Sequence, residues 1–237
     1  HGLPAFEGHR RGFNRVVPLV RSARKLGIQT LTLWAFSTEN WNRAPEEIQY
    51  LMKLYEKLID ENRTEAKKEG ARIYHLGRKD RIPLNLRRKI ERAENETRGN
   101  QKYVLNIALD YGGQDEILRA TEKIVTAVEA KQMTVKDLWN IDDRHPGEHP
   151  YYDFHHFLDT GDQSYPYPDL IIRTSGEQRL SGFLSWQAAY AELYFETDHF
   201  PDYTPEKLKI ALEEYARRDR RFGGNGLVRE QRTDEQR

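Results

Sequence analysis

The side chains best suited to chemistry lie between Asp169 and Phe195, in the stretch DLIIRTSGEQRLSGFLSWQAAYAELYF. It opens with an apolar run, Leu170-Ile171-Ile172, of the kind that forms a buried strand in a parallel sheet. Arg173, Thr174, Ser175 and Gly176 follow, then Glu177, Arg179 and Ser181. Two arginines, several hydroxyls and a glycine at a strand's end suit an anionic, phosphorylated ligand. Guanidinium groups offer forked donors to phosphate oxygens, and glycine admits close backbone approach. A second apolar run, Tyr190 to Phe195, contains one carboxylate, Glu192, which in such surroundings calls for a partner. On spacing alone, a polar surface loop with ion pairs accounts equally well for the two arginines.

The elements that must position these residues read as an alternation of helices and strands. Helical spacing runs from about His9 to Leu26 and stops at Gly27. Ile28 to Phe36 reads as a strand, followed by the polar loop Ser37–Arg43. Pro45 opens a long helix with Ile48, Leu51, Met52, Tyr55, Leu58 and Ile59 on one stripe, closing at Gly70. A strand at 71–76 and a helix from Pro83 to about Arg98 come next. Tyr103 to Leu109 is a strand that turns through Asp110-Tyr111-Gly112-Gly113 into another helix. The span 140–168 is irregular, with a short helix at 153–158; its His145, His149, His155 and His156 read as a solvated insertion, not a metal site. Thr204 and Pro205 launch a last helix, and 225–237 reads as a polar, disordered tail. The fold class is α/β: a single domain over residues 1–224, with a parallel central sheet flanked by helices. The loops 37–43, 110–113 and 173–181 all follow strands, so they converge on one sheet edge. That edge is where open α/β sheets bind ligands, which favours the phosphate reading over the surface-loop one.

Composition limits the alternatives. The 237 residues carry 38 Lys+Arg and 38 Asp+Glu, so anion binding must be local and no overall basic footprint for nucleic acid exists. The absence of cysteine excludes thiol catalysis, disulfides and zinc–thiolate sites. No apolar run approaches the roughly 20 residues of a membrane span, and a cytoplasmic location is the expectation.

Taken together, the segments GHRRG (8–12), FSTENWNR (36–43), DYGG (110–113), RTSGEQRLSGFLSWQAAYAELYF (173–195) and RDRRFGG (218–224) resemble the cis-prenyltransferases, the undecaprenyl diphosphate synthase family. The resemblance covers nearly the whole chain in the family's order, and its RTSGEQRLS and ENWNR segments are the most specific. It implies an α/β fold with a deep apolar tunnel, working as a homodimer. It also implies Mg²⁺-dependent condensation of isopentenyl diphosphate with an allylic diphosphate, farnesyl or geranyl, each new double bond being cis and the product a lipid carrier. By that resemblance Arg173, Arg179 and Ser181 hold isopentenyl diphosphate, and Glu192 helps bind Mg²⁺. Ser37, Asn40 and Arg43 serve proton removal or positioning, Trp41 and Glu39 shape the allylic site, and His9 touches the allylic diphosphate. Arg221 and Gly223 reach toward the partner subunit's site. The helix 48–59 could wall the tunnel, Leu54 included, with Trp34 and 103–105 as places to look for its far end.

The family's first strand ends in an Asp-Gly-Asn-Gly-Arg type motif whose aspartate is the principal Mg²⁺ ligand, and this sequence contains none. The match begins just downstream, at His1, so the expectation is that this strand and its loop lie upstream of the sequence given. A protein truly lacking them should bind isopentenyl diphosphate and barely turn over. Ala5 stands where many members have arginine, and Gln178 where some have histidine. Two further readings compete. One is a non-catalytic partner subunit, against which the retained arginines, Glu192 and ENW triplet speak. The other is a general phosphate-binding α/β domain such as a phosphatase, which leaves the ENWNR loop unexplained.

Overall fold

The computed structural model describes residues 5–139 and 153–219. Its main elements are α1 (Ala5–Lys25), β1 (Thr30–Ser37), α2 (Pro45–Glu69), β2 (Ala71–Leu76), α3 (Leu84–Glu96), β3 (Tyr103–Tyr111), α4 (Gly113–Glu129), β4 (Leu170–Arg173), β5 (Glu192–Phe195) and α5 (Pro205–Arg217). The α/β class and the parallel pairing expected from the sequence are both present. β3 lies between β1 and β2, parallel to each, with Leu33 opposite Ile107 and His75 opposite the same residue on the other side.

Among the described residues the parallel strands fall into two groups. β4 and β5 pair in parallel with each other, but form a separate two-stranded sheet. Side chains, not a hydrogen-bonded ladder, join it to the first: Leu31 of β1 and Ile172 of β4 pack in one cluster with Leu19 and Leu208. Apolar patterning reports that a segment is a buried strand, but not which edge it pairs with.

Alternation along β3 divides the core. Ile107 and Leu109 face Leu51, Tyr55, Leu86 and Ile90 of α2 and α3. Ala108 instead packs with Leu76, Ile171, Leu184 and Ala188. Period-two alternation sends successive side chains to opposite faces, so one strand serves both layers. The helix boundaries follow their signals. Pro45 stands at the first position of α2, Gly70 ends it, and Thr204 Oγ1 caps α5 by accepting from Lys207 N at 3.4 Å. The expected short helix near 153 is a 3₁₀ turn, Asp153–Phe157, and a second 3₁₀ turn at Val135–Trp139 was not legible in the sequence. Arg221, Gly223, His145, His149 and the tail 225–237 lie outside the described residues.

Candidate active site

The loops after β1 and β3 meet at the carboxyl ends of those strands, and the 182–185 segment, just beyond the loop after β4, packs against them. Residues 38–42 form a 3₁₀ turn directly after β1, with Ser37 N donating to Asn40 Oδ1 at 3.0 Å. β3 runs two residues further than the sequence suggested, so Asp110 and Tyr111 are strand residues. Gly112 and Gly113 then allow contacts that no larger residue could make. A Cβ on Gly112 would lie 2.5 Å from Thr38 Oγ1, and one on Gly113 would lie 2.3 Å from Ser185 Oγ and 2.5 Å from Gly182 O. Gly113 N donates to Gly182 O at 2.8 Å. The glycine pair therefore clasps the turn after β1 on one side and the 182–185 segment on the other.

Trp41 is fixed by polar and aromatic contacts. Its Nε1 donates to Asp110 Oδ1 at 2.8 Å, its ring meets Phe36 edge-on at 5.2 Å, and the Arg81 guanidinium lies 5.9 Å from its centroid. Arg81 Nε also donates to Asp110 Oδ2 at 2.9 Å. Asp110 is fully buried and is held at a φ of +54°. Such a strained, fully paired carboxylate costs free energy that the surrounding contacts must offset. Neither Asp110 nor Arg81 was singled out from the sequence beyond the DYGG motif, because their partners are 69 and 29 positions away.

Glu39 lies in the same turn. Burial alone raises its carboxyl, but the local backbone amide and the Ser37 and Thr38 hydroxyls outweigh this and bring it below the ordinary range. His9 of α1 and Arg43 both contact Glu47 Oε1, at 2.9 Å and 2.6 Å. Glu47, at the third position of α2, had no sequence signal beyond one of two adjacent glutamates.

The segment after β4 is built from unusual backbone. Ser175, Gly176, Ser181, Gly182 and Leu184 all have positive φ. Ser175 N and Gly176 N donate to Asp198 O and Glu196 O, at 2.7 Å and 2.8 Å. Glu196 is itself tied to Lys207 Nζ at 3.2 Å. Arg173 Nη1 donates to Ser181 Oγ at 3.3 Å, bringing two of the three expected diphosphate ligands together. Arg179 is exposed and pairs with Glu177.

Glu192 stands apart from this group. The register sets Glu192 opposite Leu170 and Phe195 opposite Arg173, so Glu192 lies three steps back along the ladder, about 10 Å at strand rise. Its Oε2 accepts from Arg218 Nη1 at 2.9 Å, and the same nitrogen donates to Leu193 O at 2.9 Å. Among the described residues no three His, Asp or Glu side chains gather as a cation site. Glu192 is the one residue of the implied Mg²⁺ site within this sequence, and its carboxylate is engaged by Arg218.

A cavity of roughly 120 Å³, lined mainly by apolar groups, lies between the β2–β3 part of the sheet and helices α1, α2 and α3. Its floor is the ladder Ala71–Tyr103, Ile73–Leu105 and His75–Ile107, ending at Leu109, the residue before Asp110. Val16, Val17 and Val20 of α1 and Tyr55, Leu58 and Ile59 of α2 form the walls. Leu54 is not among the lining residues. Trp34 stacks on Phe183 at 4.9 Å, on the other face of the sheet. His75 keeps the floor uncharged: Nε2 contacts Leu109 O at 2.8 Å, and burial pushes its pKa down to about 4. No described helix is long and apolar enough to cross a membrane.

A family model described as putative undecaprenyl diphosphate synthase matches residues 1–223. The chain belongs to that prenyltransferase family. It is 41% identical over 224 residues to the chloroplastic (2Z,6Z)-farnesyl diphosphate synthase of Solanum lycopersicum, covering 94% of this chain and 73% of the relative. Against an isoprenyl transferase of Aquifex aeolicus it is 41% identical over 222 residues, covering 94% and 88%. Among solved structures, lavandulyl diphosphate synthase from Lavandula x intermedia, in complex with dimethylallyl diphosphate, superposes with a TM-score of 0.85. The identity is 35%, and 94% of this chain and 90% of that one are covered. A probable undecaprenyl diphosphate synthase from Campylobacter jejuni gives a TM-score of 0.72 at 30% identity, covering 90% and 92%.

Proposed function

We propose that the protein transfers an allylic prenyl group onto isopentenyl diphosphate, making a cis-configured polyprenyl diphosphate for lipid carrier synthesis. The observation that supports this is a pair of polar loops joined at the ends of β1 and β3, with an apolar cavity whose floor runs along β3 to Leu109, the residue before Asp110. Diphosphate chemistry needs cationic and hydroxyl donors at the reacting end, and the growing hydrocarbon needs a dry channel behind it. Arg173 and Ser181, already in contact, and the nearby Arg179 supply the donors for isopentenyl diphosphate. Ser37, Asn40 and Arg43 lie in the turn that positions the isopentenyl unit for proton loss. Trp41 and Glu39 shape the allylic pocket, and His9 meets the allylic diphosphate. The cavity lined by α1, α2 and the sheet takes the prenyl chain.

Turnover on this reading requires Mg²⁺, which neutralises the departing diphosphate when bound. Glu192 is the residue of this chain carried over as its ligand. The reading includes a homodimer in which Arg221 and Gly223 serve the partner's site, farnesyl or geranyl diphosphate as primer, and a cytoplasmic location. Incubation of protein with an intact N-terminus with labelled isopentenyl diphosphate, Mg²⁺ and a panel of allylic diphosphates, followed by sizing of the extracted lipids, tests it. A ladder ending at a defined length is the expected result. Isopentenyl diphosphate binding without incorporation from any primer overturns it.

A further inference from the structure

We infer that Glu47 is a positioning residue of the transfer site, one carboxylate that sets the orientation of both His9 and Arg43. The inference rests on the prenyl-transfer reading for what those two residues do, but not for the geometry. Glu47 sits at the third position of α2, where unsatisfied backbone amides and the helix dipole favour a negative charge. A single oxygen, Oε1, lies 2.9 Å from His9 Nε2 and 2.6 Å from Arg43 Nη1. The two partners come from different elements: His9 from α1, 38 positions upstream, and Arg43 from the end of the turn after β1.

The chemistry of the contact decides which imidazole nitrogen is which. An ionised carboxylate only accepts hydrogen bonds, so the nitrogen facing it carries a proton. His9 Nε2 is therefore the donor to Glu47, and Nδ1 is the nitrogen left for a ligand. This is the arrangement by which a carboxylate orients a functional histidine elsewhere. Glu47 is ionised in this role: the His9 contact and the Arg43 charge hold its carboxyl below the ordinary range against the effect of burial.

Arg43 is restrained by the same oxygen. An isolated exposed pair spaced four apart contributes little to stability and leaves both side chains mobile. Here the carboxylate is only 20% exposed and is braced by a second donor, so the guanidinium is held in one place before substrate arrives.

Steady-state kinetics and imidazole ¹⁵N NMR of the full chain test this, comparing the parent with Glu47→Ala, Glu47→Gln and the neighbouring Glu46→Gln. Loss of one charge-assisted contact predicts that kcat/KM for the allylic diphosphate falls by about tenfold or more in Glu47→Ala, with Glu46→Gln unchanged. The NMR spectrum of the parent should show His9 protonated at Nε2, and Glu47→Ala should redistribute that proton between the two nitrogens. If Glu47→Ala does not fold, Glu47→Gln carries the same two measurements. A kcat/KM within about threefold of the parent, or an unaltered His9 spectrum, overturns the inference. If the parent makes no prenyl product, the functional reading fails separately, and the His9 spectrum alone still decides whether Glu47 sets the imidazole.

Discussion

Trp41 and Asp110 are 69 positions apart in the chain and joined by a 2.8 Å hydrogen bond from indole to carboxylate. That bond anchors the turn after β1 to the end of β3. Replacing Asp110 by alanine leaves the Trp41 N–H without its partner and the Arg81 guanidinium without its counter-charge. Because Asp110 is fully buried while Arg81 is partly exposed, the expected loss of stability is about 2–4 kcal/mol. Chemical denaturation measures it. Asp110→Asn, which keeps an acceptor for the indole, should lose less; equal losses in the two variants would sink the claim that the indole bond matters separately from charge.

Arg173 and Arg179 differ in how the structure holds them, and their variants should differ accordingly. Arg173 already contacts Ser181, whereas exposed Arg179 is paired with Glu177 and must change partners to reach a ligand. Arg173→Ala and Arg179→Ala should each weaken isopentenyl diphosphate binding by roughly 1.5–3 kcal/mol, the range for one charge-assisted contact. Glu177→Gln releases Arg179 and should leave binding unchanged or tighter. Isothermal titration with isopentenyl diphosphate reads all three, and wild-type affinity in both arginine variants would refute their assignment.

The elements and the convergence of the loops were legible in the sequence because they depend on local pattern. The Pro45 start, the Gly70 stop and the Thr204 cap are written in single residues, and the strand-then-loop order places 37–43 and 110–113 on one edge. What escaped was set by contacts distant in sequence. Asp110 and Glu47 acquire their roles from Trp41, Arg81 and His9, and no spacing announces such pairs. The division into two sheets escaped for the same reason, since edge pairing depends on register between segments, not within them. Glu192 is the instructive case: its apolar neighbours in sequence suggested a partner of functional kind, and the contact the structure gives it is an ion pair with Arg218.

Cavity dimensions should govern product length. Leu105 lies on the floor and Val20 on the wall. Leu105→Ala should lengthen the lipid product and Val20→Phe should shorten it, with KM for isopentenyl diphosphate unchanged in both. Cutting back Leu105 also leaves a void, at a stability cost of about 2–5 kcal/mol at most, so assays belong well below the melting temperature. Chromatographic sizing of extracted lipids is the measurement. An identical product distribution in both variants would show that the chain grows elsewhere.

Glu116 gives the fold a pH dependence of opposite sign to most carboxylates. Its side chain is 1% exposed and accepts from the Tyr111 hydroxyl, from Asp159 N at 2.8 Å and from Gln187 Nε2 at 3.0 Å. Burial, then the Asp159 charge, raises its pKa above the ordinary 4.5 in spite of those donors. The native state therefore binds this proton more tightly than the unfolded chain. Stability from this group is complete below 4.5 and is lost as pH rises through the raised value. Glu196, lowered by the Asp198 amide and by Lys207 in spite of some burial, behaves oppositely: its contribution is present above the ordinary range and lost on acidification. Glu116→Gln removes the titration at the cost of turning an amide donor toward three donors, so the variant should be less stable throughout. The test is the difference from wild type, measured by urea denaturation at about pH 5 and about pH 7.5, values above the carboxylate reference. That gap should narrow as pH rises, because only the wild type loses stability by deprotonating Glu116. A gap that stays constant or widens would mean that Glu116 is ionised in both states across this range.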